Sequence, residues 1–151
     1  MITFKKVKVC FLLIFVFLNI LYIAPCYSLP LREDLFKNAL DLSSSGNFNL
    51  ALKEWNEYLD SYPDDAAGLS NRGNVRLVIG DVEGSIDDQN KAISLNPSEK
   101  DPYINRGIAE EALGLWSQAK KDYMFVISQE AKNFSALYNF CLLYTSDAAD
   151  D

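Results

Sequence analysis

The chain has 151 residues and a net charge of −7, with 14 lysines and arginines against 21 acidic residues, three cysteines and no histidine. The length suits one domain. The acidic balance argues against a nucleic-acid binder, which needs a basic face to displace counterions.

Taken in order, the chain opens with Lys5, Lys6 and Lys8 and no acidic residue, followed by a run from Val9 to Ala24 that is apolar except for Asn19. This is the pattern of an export signal occupying residues 1–28, with Pro25 breaking the helix and cleavage after Ser28 or slightly earlier. The alternative is an uncleaved membrane anchor, but the run falls short of the roughly 20 residues that span a bilayer. Cleavage leaves no stable span in the mature chain. Cys10 and Cys26 lie in the signal and Cys141 near the C-terminus, so the body between has neither cysteine nor histidine. Although an exported protein could use disulfides, this body must hold together by packing. The three signal lysines balance Asp147, Asp150 and Asp151, and the body carries the whole negative charge.

From Arg32 to Ser44, Leu35, Phe36, Ala39, Leu40 and Leu42 recur at helical spacing. Ser43-Ser44-Ser45-Gly46-Asn47 stops that helix, Gly46 suiting a left-handed terminating conformation. A second helix is expected from Phe48 to Tyr62, with Pro63 ending it. The pattern then returns: helices from about Ala66 to Ile79 and Val82 to Leu95 around Gly80, and near Asp101 to Leu113 and Trp116 to Gln129 around Gly114. The period is 34 residues. It aligns Gly46, Gly80 and Gly114; Ala51, Ser85 and Ala119; and Pro63, Pro97 and Ala131. Such a period marks a stacked array in which no unit buries its apolar face alone.

These residues resemble the tetratricopeptide repeat, a helix-turn-helix unit of the same period. Repeats are expected at 32–65, 66–99 and 100–133, with a fourth beginning at 134–140. The resemblance implies an all-α, right-handed α-solenoid. Its eighth position is small (Ala39, Gly73, Gly107) because two helices cross closely there, opposite the small twentieth position (Ala51, Ser85, Ala119). Large residues fill the complementary places: Phe48, Val82 and Trp116 after the turn, and Trp55 and Tyr123 further along. Gln89 departs from that pattern. The seventh position, ordinarily leucine in the family, is Arg72 and Arg106, with Arg76 and Glu110 at the eleventh, so the second and third cores should be thinner, with arginine stems lying along apolar surface. The acidic pairs Asp64-Asp65, Asp87-Asp88 and Glu110-Glu111 read as solvated faces and helix-start charges. A carboxylate-pair enzyme or a calcium loop would need further ligands at fixed offsets, which the sequence lacks. The chain is therefore read as non-catalytic, with no cofactor and no metal.

The sixth position is Asn71, Asn105 and Asn139, a ladder at the array period. The resemblance implies that such asparagines face the concave groove and hydrogen-bond the backbone of an extended peptide, a task suited to an amide that both donates and accepts. An equal reading is an asparagine tolerated at an exposed helix position. Asn74 and Ile108 would share the groove, with Arg72, Arg76 and Arg106 near it and able to accept acidic segments locally while the acidic body repels them overall. The family's clamp for a C-terminal carboxylate fails position by position: the second positions are Glu33, Ala67 and Asp101, and the sixth offer Lys37 as the one cation.

Residues 141–151, C-L-L-Y-T-S-D-A-A-D-D, resemble the translated end of an adapter used in preparing sequencing libraries. That implies a non-native tail and a natural protein continuing past Phe140; the other reading is a short acidic helical tail. The expected function is an exported scaffold that binds a protein or peptide in its groove, in a periplasm, an extracellular space or a thylakoid lumen, or held at a membrane if the signal stays. The alternative is a recruiting arm for a catalytic or transport domain further along. An unfinished fourth repeat exposing Phe134, Leu137, Tyr138 and Phe140 would also favour self-association.

Overall fold

The structure is a computed structural model that describes residues 31–147, with side chains described through residue 143. The export segment at 1–28 and the last four residues of the suspect tail lie outside the described residues. Among the described residues there are seven helices and no strand: α1 Arg32–Ser44, α2 Phe48–Ser61, α3 Ala66–Val78, α4 Val82–Leu95, α5 Asp101–Ala112, α6 Trp116–Gln129 and α7 Phe134–Asp147. Three expected helices end one residue early. The residue given up, Tyr62, Ile79 or Leu113, becomes the C-cap, its backbone N–H still bonded back into the last turn.

The period fixes the turns. Gly46, Gly80 and Gly114 carry φ of 80°, 91° and 71°, so each first helix closes in a left-handed conformation that a side chain would resist. Aspartates start two of the helices that follow connections: Asp65 accepts from the Gly68 N–H at 2.8 Å and Asp81 from the Gly84 N–H at 3.1 Å. Asn133 caps α7 in the same way, accepting from Ala136 N–H at 3.0 Å. Helix α7 runs on through Cys141, and Leu143 is buried.

Each helix packs on the next, and first helices also touch one another: α1 with α3, α3 with α5, α5 with α7. Small residues make the hairpins possible. Ala39, Ala51, Ser85 and Ala119 are fully buried. A Cβ on Gly107 would stand 2.6 Å from Tyr123 Cε1 and 2.8 Å from its Cζ. Tyr123 is itself fully buried and donates its hydroxyl to Glu111 Oε1 at 2.7 Å, so its ring has nowhere to go. Gly107→Ala should therefore lower stability by about 1–3 kcal/mol. Urea unfolding of the variant checks this, and an unchanged midpoint would show that the ring yields.

The apolar core divides in two. One cluster joins Ala39, Ala51, Trp55, Tyr58, Leu59, Leu69, Val75 and Ala92; the other joins Ile104, Ala119, Tyr123, Val126, Ala136 and Leu143. The second hairpin supplies Gln89 where its neighbours supply Trp55 and Tyr123, in keeping with a thin core there. Trp116 differs from expectation: it is 40% exposed rather than filling its hairpin.

Candidate functional site

Between the first helices of the second and third hairpins lies a concavity of about 280 Å³, lined among others by Ser70, Asn71, Asn74, Glu99, Asp101 and Asn105. Three of the asparagines singled out from the sequence thus meet in one place. Ile108 and Asn139 do not line it; Ile108 is 37% exposed further along α5, and Asn139 is half-buried on α7. A second concavity of about 230 Å³ adjoins the first by sharing Asn71 and Asn74, and its other walls include Leu40, Phe48, Val75 and Val78.

The amides are partly committed. Asn71 donates Nδ2 to Ala67 O at 2.9 Å, one turn back on its own helix, and Asn105 donates Nδ2 to Ser70 Oγ at 3.3 Å across to α3. Beneath them lies fully buried Gln89, which donates Nε2 to Ser70 O at 3.0 Å and to Asn74 Oδ1 at 3.4 Å. The residue that broke the sequence pattern therefore supports the floor of the concavity. Its Oε1 is buried without a partner among the described residues, an arrangement that costs stability where tryptophan or tyrosine stands in the neighbouring hairpins.

Arg72 and Arg106 leave the candidate site. Arg72 holds Asp88 through Nε and Nη2 at 2.8 and 2.6 Å and reaches Asn56 Oδ1 through Nη1 at 3.0 Å. Arg106 repeats this on Asp122, at 2.7 Å from both nitrogens, and on Asn90 at 2.6 Å. A planar guanidinium with five donors suits one carboxylate and one amide at once. Each arginine binds the second helix of its own hairpin to that of the hairpin before, instead of facing a ligand. Arg76 likewise turns to Gly84 O and Asp88, both at 3.0 Å. The arginine heads are thus ion-paired, although Arg106 also lies over the Tyr103 ring, 5.6 Å from its centre.

The acidic pairs need correcting too. Asp65, Asp88 and Glu110, one from each pair, are buried or nearly so rather than solvated. Asp65 is held by Arg32 and by the Tyr58 hydroxyl, the latter at 2.6 Å. Glu110 occupies the place of Arg76 in the next hairpin, where it has Arg106 at 3.9 Å and, among the described residues, no second cation. Burial, and then the Asp122 charge, push its carboxyl up to about 7, against a smaller opposing pull from Arg106. The folded chain thus holds this proton more tightly than the unfolded one. The stabilisation from Glu110 is complete below its ordinary value of 4.5 and is lost as pH rises from there through about 7. Between pH 5 and pH 8 the wild type should lose about 1–3 kcal/mol more stability than Glu110→Gln. Parallel unfolding curves at the two pH values would sink this expectation.

Stacked helix pairs with glycine turns, small residues at the crossings and a concave face of first helices define a tetratricopeptide-repeat solenoid. Comparisons with known proteins find likenesses to such repeat proteins. A FAM10 family protein of Arabidopsis thaliana is 32% identical over 84 residues, covering 56% of this chain and 19% of that protein. Tetratricopeptide repeat protein 36 of Bos taurus is 23% identical over 103 residues, covering 66% of this chain and 55% of that protein. The chain therefore spans from about a fifth to about half of these relatives' lengths. Among solved structures, the first TPR of Spaghetti (RPAP3) bound to the HSP90 peptide SRMEEVD superposes with a TM-score of 0.73 at 26% identity, over 78% of this chain and 93% of that one. No family model matches the chain. Among the described residues no helix is long and apolar enough to cross a membrane.

Proposed function

We propose that this chain is an exported, non-catalytic scaffold that takes an extended segment of a protein partner along its first helices. The observation that carries the reading is the meeting of Asn71, Asn74 and Asn105 in one concavity. Amides there can pair with both the N–H and the C=O of a peptide backbone. The likeness to a repeat domain solved with a peptide bound supports it. Export rests on the Lys5–Ala24 pattern, and the N-terminal residue of the mature protein, read by mass spectrometry, tests it.

The groove is tested by a pull-down from the exported fraction with wild type and an Asn71→Ala, Asn74→Ala, Asn105→Ala variant of equal helical content. A partner retained by wild type and lost by the variant is the expected result. The same proteins captured by both would move the function off this face.

A further inference from the structure

Resting on the groove reading above, we infer that the preferred ligand is a cationic extended segment. Its lysine or arginine meets Glu99 and Asp101, while an aliphatic or aromatic side chain nearby enters the concavity walled by Leu40, Phe48, Val75 and Val78.

Charge is the first ground. Glu99 and Asp101 are exposed, line the concavity, and have no ion-pair partner among the described residues. The cations that could neutralise them are engaged elsewhere. Arg72 and Arg106 close on Asp88 and Asp122, and Arg76 on Asp88. Lys100, between the two acids in sequence, lies 3.9 Å from Glu130, and Lys37 lies 3.4 Å from Asp41 on its own helix. An acidic ligand would meet two carboxylates that have no cationic partner among the described residues, Glu99 Oε1 accepting the Lys100 backbone N–H at 3.3 Å and Asp101 standing in the first turn of α5, whereas a basic one supplies a counter-charge. The chain's net charge of −7 adds long-range steering of the same sign.

The hydrogen-bonding capacity of the lining is the second ground. Asn71 and Asn105 each commit one Nδ2 hydrogen inside the protein, which leaves Oδ1 and the second hydrogen of each amide toward a ligand. Gln89 engages Asn74 Oδ1 from below, which leaves the Asn74 Nδ2 group to donate. The amides can thus pair with both N–H and C=O groups of a ligand, and the Glu99 and Asp101 carboxylates beside them, which only accept, tip the surface toward N–H groups. The adjoining concavity supplies an apolar subsite. Leu40 and Val78 are 38% and 58% exposed and become covered when a side chain enters. Because both spaces share Asn71 and Asn74, the apolar and basic residues of the ligand must be near neighbours in its sequence.

The test uses the full chain and an array of immobilised hexapeptides in which a leucine and a lysine take every relative spacing. The same peptides with glutamate in place of lysine are set beside them. Lysine peptides should bind about tenfold better than their glutamate counterparts at low salt, the effect expected of two accessible charge contacts. The preference should narrow as salt rises. Glu99→Lys with Asp101→Lys should reverse it, and the milder Glu99→Gln with Asp101→Asn should abolish it.

Equal or better binding of the glutamate peptides overturns the inference and leaves the groove standing. A preference that survives both double variants also overturns it, by assigning the selectivity to overall charge. Binding of neither peptide set removes the groove reading itself.

Discussion

Asp88→Ala is expected to destabilise the array by about 3–5 kcal/mol, the range for stripping the partner from a buried charge. Asp88 is the meeting point of two guanidiniums: Arg72 grips both of its oxygens and Arg76 approaches to 3.0 Å. Both arginine side chains are mostly buried, at 17% and 23% exposure, and neither has another carboxylate as close. Asp122→Ala at the equivalent place should cost clearly less. Among the described residues only Arg106 pairs with Asp122, and Glu110 stands ready at 3.9 Å to take over, relieved at once of a like charge beside it. Urea unfolding of the two variants measures the difference, and equal losses would mean that the shared cation count is irrelevant.

Trp55→Ala is the other large effect, a loss of about 3–5 kcal/mol. The indole is fully buried, with its ring edge-on to Phe36 at 5.0 Å and to Tyr58 at 5.8 Å. Its Nε1 donates to Ser43 Oγ at 3.0 Å, and that hydroxyl donates in turn to Ala39 O. Alanine would open a void between α1 and α2 that the aromatic neighbours cannot close without leaving their own contacts with Tyr62 and Leu59. Trp116→Phe is the natural control, since that side chain is 40% exposed and should change stability little. A Trp55→Ala midpoint equal to that of the control would contradict the packing described.

The helices, turns and crossings were legible because each depends on local chemistry repeated at a fixed interval: a glycine for a left-handed turn, a small residue where backbones approach. What escaped was the destination of long side chains. Arg72 and Arg106 occupy a position next to the groove-facing asparagines, and a position on a helix tells which way Cβ points, not where a guanidinium several bonds further lands. The signal was nonetheless present. Asn56 and Asn90, Arg72 and Arg106, and Asp88 and Asp122 all recur at the array period. An amide, an arginine and an aspartate spaced evenly by 16 become one cluster only once the helices are folded against each other. Gln89 was legible as an exception but not as a support for Asn74, because its partners lie on another helix. Asn71, Asn74 and Asn105 were foreseeable as neighbours, since one face of successive first helices carries them all. Glu99 entered the site because the connection between hairpins folds toward that face, and Asp101 because it is the first residue of α5.

The arginine clusters also bear on how the solenoid flexes. Asn56 is on α2, Arg72 on α3 and Asp88 on α4; Asn90, Arg106 and Asp122 continue the series on α4, α5 and α6. Each guanidinium is a rivet through three consecutive helices, and α4 receives one from either side. Stretching or twisting the array at these joints would have to separate charge-assisted bonds of 2.6–3.0 Å, not merely slide apolar surfaces. Curvature across the first three hairpins is therefore set before any ligand arrives. A partner meets a template of fixed pitch, and its own chain, rather than the protein, must lose conformational freedom when the two combine.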